Sequence, residues 1–487
     1  MKGRIKYDVM TKEELNHMKS RMEELLIKRG IHLDHDEMLQ ELSDLGCIVD
    51  MDKKELKFTK ELIDKAVASI PKEFTLYSPS GKRDLKFPHP EGKFYTRTNT
   101  GAPNYMTIDG DTHFTKLSEV DEWYHLANQM ENIDYFTLPS TSGEEVPGDA
   151  VDVYTLERAL NLAEKHIWLQ PYEGENVKYL IDMAAAAVGG LDKLREKPIV
   201  SFIACSVSCL NYKWMDAEIL YRCAKAGLPV QPCSLPTAGA NTPVTAQGTA
   251  FMSAAEVFAM IVMLQLLSPG LPVIATTLLF SMDMMTTYTL QSNTEITMAR
   301  LMCMQLFEQG YNIRAHSYGT GTDSLAIDEQ NMIERTSLIH AMAMSDASVL
   351  GGAGQLETAK TISPVQLIID NEIFGIAQRL RTGLDINDET LNWDEIMNEV
   401  DKNPGFIMSE HTMRHFEEAH RPDMFNRGGL AKWQENGSKT LQDSARDKYY
   451  KLMKNPAAYS LDADKAAAVK EVLETAHKAL VKETATL

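Results

Sequence analysis

Lys197-Pro198-Ile199-Val200-Ser201-Phe202-Ile203-Ala204-Cys205 and, one helical stretch later, Gly227-Leu228-Pro229-Val230-Gln231-Pro232-Cys233-Ser234-Leu235 decide the fold. Each is a short, mostly apolar run entered through a proline and too short for a buried helix, so it reads as a strand covered on both faces. A helix-length connection between two such strands implies a right-handed βα crossover and parallel pairing. The same unit recurs outward in both directions. Strand-like runs fall at 133–138, 167–170, 272–281, 312–318 and 347–352, with helical segments between them and entries punctuated by Pro269-Gly270-Leu271-Pro272 and Gly310. That makes seven strands, and an eighth at Phe406 to Ser409 would close a (β/α)8 TIM barrel. The competing open sheet lacks the G-x-G-x-x-G turn after its first strand that a dinucleotide site needs.

The flanks have a different texture. Thr11-x-x-Glu14 is a capping box ahead of Leu15, Met18, Met22 and Leu25 at helical spacing. Asp34 and Thr59 are positioned to cap two further helices, and strand-like runs follow at 74–77, 93–97 and 105–108, the last with an Asp109-Gly110 hairpin turn. The expected organisation is an N-terminal helical and hairpin accessory domain (1–130), the barrel (131–411) and a C-terminal helical extension (412–487). A chain of 487 residues is comfortable for that arrangement.

The net charge of −20 excludes the basic face that nucleic acid requires and disfavours anionic membranes. The longest apolar stretch, Val257 to Leu267, contains Gln265 and ends at Ser268-Pro269-Gly270, so a buried helix is expected rather than a membrane span. No apolar signal region follows Met1-Lys2-Gly3-Arg4, which places the protein in the cytoplasm. The six cysteines, at 47, 205, 209, 223, 233 and 303, contain no C-x-x-C pair, and free thiols are expected rather than a metal site.

Barrel chemistry belongs at the C-terminal strand ends. Those positions read Thr137-Leu138-Pro139-Ser140, Gln170-Pro171-Tyr172, Cys205-Ser206, Ser234-Leu235-Pro236-Thr237, Ser281-Met282-Asp283, His316-Ser317-Tyr318-Gly319 and Gly351-Gly352-Ala353-Gly354. They hold no carboxylate pair, no His-x-His and no activated lysine. A reaction that needs little acid–base help suits this set.

Four blocks resemble the trimethylamine methyltransferase superfamily, in that family's order. They are Leu235 to Thr245 running on to Glu256, Gly321-Thr322-Asp323-Ser324 with Asp328-x-Gln330, Gly352-Ala353-Gly354 through Ser363 and Gln366 to Asp370-x-Glu372, and His411-Thr412 with His415-Phe416, Pro422 and Arg427. Gly46-Cys47-x-Val49-Asp50 is similar to the end of that family's accessory domain. The resemblance implies a barrel enzyme that passes a methyl group to the Co(I) corrinoid of a separate corrinoid protein, with no cofactor held tightly by this chain and a homo-oligomer expected. The founding enzymes carry pyrrolysine where this chain has His316 to Thr322. The standard residues here resemble the branch linked to quaternary amines such as glycine betaine, proline betaine or carnitine. A quaternary nitrogen leaves as a neutral amine and needs no general acid, which agrees with the neutral strand ends.

The expected site follows from that chemistry. Aromatic faces would hold the ammonium, with Tyr95, Tyr105, Trp168, Phe280 and Tyr318 as candidates beside Phe94, Tyr172 and Tyr288. Arg97, in the loop Thr96 to Gly101, would grip a betaine carboxylate. Gln170 would line the pocket, and His316 would donate a hydrogen bond to it. His316, Tyr318 and Gly319 would position the substrate. Gly321, Gly351 and Gly352 would let a corrin ring approach, since glycine removes the side-chain obstacle. Asp323 and Asp328 read as turn and cap residues, and His411 and His415 as anchors of the C-terminal segment. Two rival readings remain: a metal-dependent barrel hydrolase or lyase built on Cys205, Cys209, Cys233 and His316, and a non-catalytic betaine-binding protein.

Overall fold

A computed structural model describes residues 5–99, 101–138, 145–402 and 405–481. Thr100, Pro139 and Ser140, each in a stretch singled out above, lie outside the described residues. Eight parallel strands close a barrel: β1 (Tyr95–Thr98), β2 (Tyr135–Thr137), β3 (His166–Leu169), β4 (Val200–Ser206), β5 (Val230–Ser234), β6 (Ala275–Thr277), β7 (Ala315–Tyr318) and β8 (Val349–Ala353). Seven coincide with the runs read from sequence. The closing strand also falls in a strand-like run read from sequence, 93–97, but one assigned to the accessory domain. It is β1, which pairs with β8 through Val349–Tyr95 and Leu350–Thr96 and with β2 through Arg97–Tyr135. The expected eighth strand near Phe406 is a 3-10 turn, Phe406–Met408, with no buried residue. A barrel strand needs both faces covered, which that exposed segment lacks and Tyr95–Thr98 has at all four positions. The barrel therefore starts inside the stretch assigned to the accessory domain and ends at β8.

What precedes β1 plugs and braces the barrel. Helix Lys12–Lys28 starts in the Thr11–Glu14 capping box, and Thr59 caps helix Lys60–Ser69. Helix Asp36–Asp44 is capped by His35 rather than Asp34: His35 Nδ1 accepts from Met38 N at 3.1 Å, while its Nε2 pairs with Glu218 at 2.8 Å. A hairpin, Phe74–Leu76 with Leu85–Phe87, sits at the N-terminal end of the barrel, where Tyr77 N donates to Pro198 O.

Helix Ala246–Leu267, apolar and long enough to span a bilayer, is instead buried almost throughout its length, between the barrel and helices Lys60–Ser69 and Thr294–Gln305. Beyond the barrel, helix Leu441–Leu452 packs on Pro364–Thr382 and helix Ala463–Leu480 packs on Val177–Val188, so the extension wraps the outside of the barrel.

Candidate active site

The barrel interior is polar, in two layers. Near the N-terminal end, His166 Nδ1 meets Tyr77 O at 2.8 Å and its Nε2 meets Ser201 Oγ at 2.9 Å, with Gln231 Nε2 donating to the same hydroxyl at 3.1 Å. Both His166 nitrogens are engaged, while Gln231 Oε1 is left without a partner. In the layer above, Arg97 points inward from β1 and is fully buried. Its Nε donates to His316 Nε2 at 2.7 Å and its Nη1 to Thr98 O at 2.8 Å, while its Cζ stands 4.4 Å over the Trp168 ring. Its Nη2 has no partner. Among the described residues no carboxylate forms an ion pair with it.

His316 is locked by that contact. Burial and the adjacent guanidinium hold its pKa well below the usual range, so the ring is neutral. Nε2 accepts from Arg97, which leaves the proton on Nδ1, 3.2 Å from Thr276 Oγ1. The expectation that His316 donates to substrate is corrected accordingly: its acceptor holds Arg97, and its donor faces the barrel wall. One turn of strand further out, the buried Tyr318 ring lies 5.8 Å from Arg97 Cζ and 5.6 Å from the Cζ of a second buried arginine, Arg300. Phe280 meets Tyr318 edge-on at 5.9 Å, and Trp168 meets His316 edge-on at 5.3 Å. Burial raises the Tyr318 phenol to about 12 despite both cations.

The structure thus brings Arg97, Trp168, Phe280, His316 and Tyr318 together. Gln170, half-buried just past β3, stands against Gly101. It does not bring Tyr95 or Tyr105 there. Tyr95 opens β1 at the opposite end of the barrel, packed on Phe87 and His89 with its hydroxyl on Lys86. Tyr105 lies on an outer sheet, hydrogen-bonded to Glu122. Both followed from treating Thr96 to Gly101 as a mouth loop, whereas Thr96 to Thr98 are barrel strand. Gly319 faces Leu350 and Ile339, a packing contact.

The glycines expected to admit a corrin ring are filled from within. A Cβ on Gly351 would overlap the Arg97 guanidinium. One on Gly321 would overlap Gln291, and one on Gly352 Gln355 and Thr320 O. Among the described residues no three His, Cys, Asp or Glu side chains are grouped as metal ligands, so Cys205, Cys209, Cys233 and His316 form no such set. Asp283 is half-buried in a turn, where its carboxylate accepts from Met285 N and Thr286 Oγ1.

Residues 2–480 match the family model described as Trimethylamine methyltransferase (MTTB). The chain belongs to the trimethylamine methyltransferase family. The trimethylamine methyltransferase of Methanosarcina acetivorans is 29% identical over 98% of this chain and 96% of its own length. The glycine betaine methyltransferase of Desulfitobacterium hafniense is 24% identical over 94% and 95%. Among solved structures, the monomethylamine methyltransferase of Methanosarcina barkeri aligns with a TM-score of 0.49 at 13% identity, covering 90% of this chain and 92% of that one.

Two buried charged residues beside the candidate site of this methyltransferase-family chain escaped the sequence reading. Glu256, inside the longest resembling block, is fully buried in helix Ala246–Leu267. It accepts from Ser206 Oγ (2.7 Å), Ser208 Oγ (2.9 Å), Ser234 Oγ (2.6 Å) and Leu210 N (2.9 Å), clamping the ends of β4 and β5. Arg300 sits in helix Thr294–Gln305 among Ala299, Leu301, Cys303 and Met304, all buried. A lone cation on an apolar helical face was the available signal. Asp328 does cap helix Glu329–Ala343, and Asp323 accepts from Gln291 N and Ser292 N. His411 and His415 tie down the extension through Glu389.

Proposed function

We propose that this methyltransferase demethylates a quaternary amine of the betaine class, with the corrinoid of a separate protein as methyl acceptor. The observation that carries the reading is the buried Arg97 guanidinium, with an unpartnered Nη2 and no described carboxylate to pair it. An uncompensated buried cation costs several kcal/mol. A substrate carboxylate supplies the missing charge, which trimethylamine, having no anionic group, would not.

The carboxylate seats against Arg97, held in place by neutral His316 and the Trp168 face. The ammonium then lies outward, by Phe280, where an aromatic surface replaces water around the methyl groups. The corrinoid, when docked, supplies the nucleophile that takes the methyl as a cation. The C–N bond electrons stay on nitrogen, and a neutral tertiary amine leaves without a proton donor. The chain's part is to anchor, orient and dehydrate.

With their space filled by Gln291, Arg97 and Gln355, Gly321, Gly351 and Gly352 offer no cradle for a ring. The rim of the C-terminal face is the better fit to a docking protein, since it exposes Leu235, Val244, Met284, Met285, Tyr288 and Leu325 on the loops after β5, β6 and β7. The test is a panel of glycine betaine, proline betaine, carnitine, choline and trimethylamine, read by the spectrum of a reduced corrinoid protein. Turnover confined to carboxylate-bearing amines supports the reading. Comparable turnover of trimethylamine or choline refutes it.

A further inference from the structure

We infer that Arg300 is the second half of an anion receptor, and that one ligand carboxylate is held jointly by Arg97 and Arg300 beside the Tyr318 ring. The inference rests on the betaine reading and adds a residue from outside the barrel wall to it. Arg300 comes from helix Thr294–Gln305, between β6 and β7, and is fully buried. Its Nη2 donates to Leu279 O, while Nε and Nη1 have no partner.

The Cζ atoms of Arg97 and Arg300 lie 5.8 and 5.6 Å from the centroid of the same ring. Two like charges held near one phenol repel each other, and among the described residues neither forms an ion pair. Asp323 is an acid close enough to act on Arg300, but its oxygens are already engaged by Gln291 N, Ser292 N and Thr358 Oγ1. A single carboxylate answers both cations at once. Nε and Nη1 lie on different edges of the Arg300 guanidinium and both keep free N–H groups, so either edge can give a carboxylate a charge-assisted donor.

The experiment titrates acetate, glycine betaine and choline by calorimetry into the full-length protein, its Arg300→Lys and Arg300→Met variants, and Arg97→Met. Melting curves and circular dichroism establish that each is folded. Wild type is expected to bind acetate and glycine betaine competitively and choline more weakly. Arg300→Lys should weaken acetate and glycine betaine about tenfold, Arg300→Met more, with choline unchanged. If Arg300→Met does not fold, Arg300→Lys decides alone. Wild-type affinity in the Arg300 variants, with loss only in Arg97→Met, overturns the inference and leaves the betaine reading standing. Equal weakening of choline also overturns it, as a general packing defect. Failure of wild type to bind either carboxylate removes the betaine reading itself.

Discussion

Arg97 Nε donates to His316 Nε2 across 2.7 Å, on strands β1 and β7 of the closed barrel. The bond fixes three things together: the histidine is neutral, its proton is on Nδ1, and the guanidinium is turned so that Nη2 is left for a ligand. Arg97→Lys keeps a charge but loses the fork. It should raise KM for a betaine by the equivalent of about 1.5–3 kcal/mol, with little change in kcat. Steady-state kinetics with the cognate corrinoid protein checks this, and an unchanged KM removes Arg97 from the site.

The same bond makes a pH prediction. Burial and Arg97 hold His316 well below its usual pKa, so the folded chain leaves it neutral, while the unfolded chain takes up a proton below about pH 6.5. The associated stability is complete above that pH and is lost as the pH falls. His316→Gln can still accept from Arg97 and cannot titrate. Relative to wild type, the variant should gain up to about 1.4 kcal/mol per pH unit between pH 6.5 and 5. Urea unfolding at several pH values measures it, and parallel curves would contradict the neutral assignment.

Tyr318 separates packing from charge. Its ring faces two guanidinium groups rather than the open mouth, so its π face serves the receptor first. Tyr318→Phe should bind betaine nearly as wild type does. Tyr318→Leu should lose about 0.5–2 kcal/mol, because both cations lose the ring that they share. Equal affinities in folded variants would show the ring to be filler.

Much of the fold was legible because parallel strands covered on both faces are written as apolar runs, and seven of the eight were. β1 was misassigned because it reads Tyr-Thr-Arg-Thr. The run 93–97 reads as a strand, but with Arg97 between two threonines it lacks the apolar character of its seven neighbours, so from sequence it falls to the accessory domain and its end to a loop. The grouping at the candidate site was legible where Trp168, Phe280, His316 and Tyr318 fall within strand-like runs of the barrel. It was not legible where a residue reaches in from a helix. Nothing local to Thr294–Gln305 says that Arg300 turns towards β7, nor does Glu256, mid-helix, announce three serines brought from two other elements. The glycines misled for a related reason. A missing side chain in the sequence does not say which neighbour fills the space.

Glu256 is a stability residue acting on the site's wall. Glu256→Ala strands three serine hydroxyls and the Leu210 amide in a buried place, and should cost about 3–5 kcal/mol. Glu256→Gln keeps one acceptor and the shape, and should cost less. Chemical denaturation orders the three proteins, and a smaller loss for the alanine variant would mean that the clamp contributes little.

Gly351 offers the sharpest separation of fold from function. It is a buried β8 residue whose amide carbonyl accepts from Gly319 N at 2.9 Å, and its φ is not in the left-handed region, so alanine meets no backbone strain there. The three atoms nearest an added methyl group are Arg97 Cζ, Nε and Nη2, all closer than a methyl tolerates. Gly351→Ala should therefore push the guanidinium off His316 and away from its ligand position. An overpacked site costs about 1–3 kcal/mol of stability, which a chain of this size survives. Betaine affinity should fall at least as far as in Arg97→Lys, while choline binding changes little. The double variant Gly351→Ala with Arg97→Lys should be no worse than Gly351→Ala alone, since both act through one group. Additive losses would show that Gly351 acts on something other than Arg97.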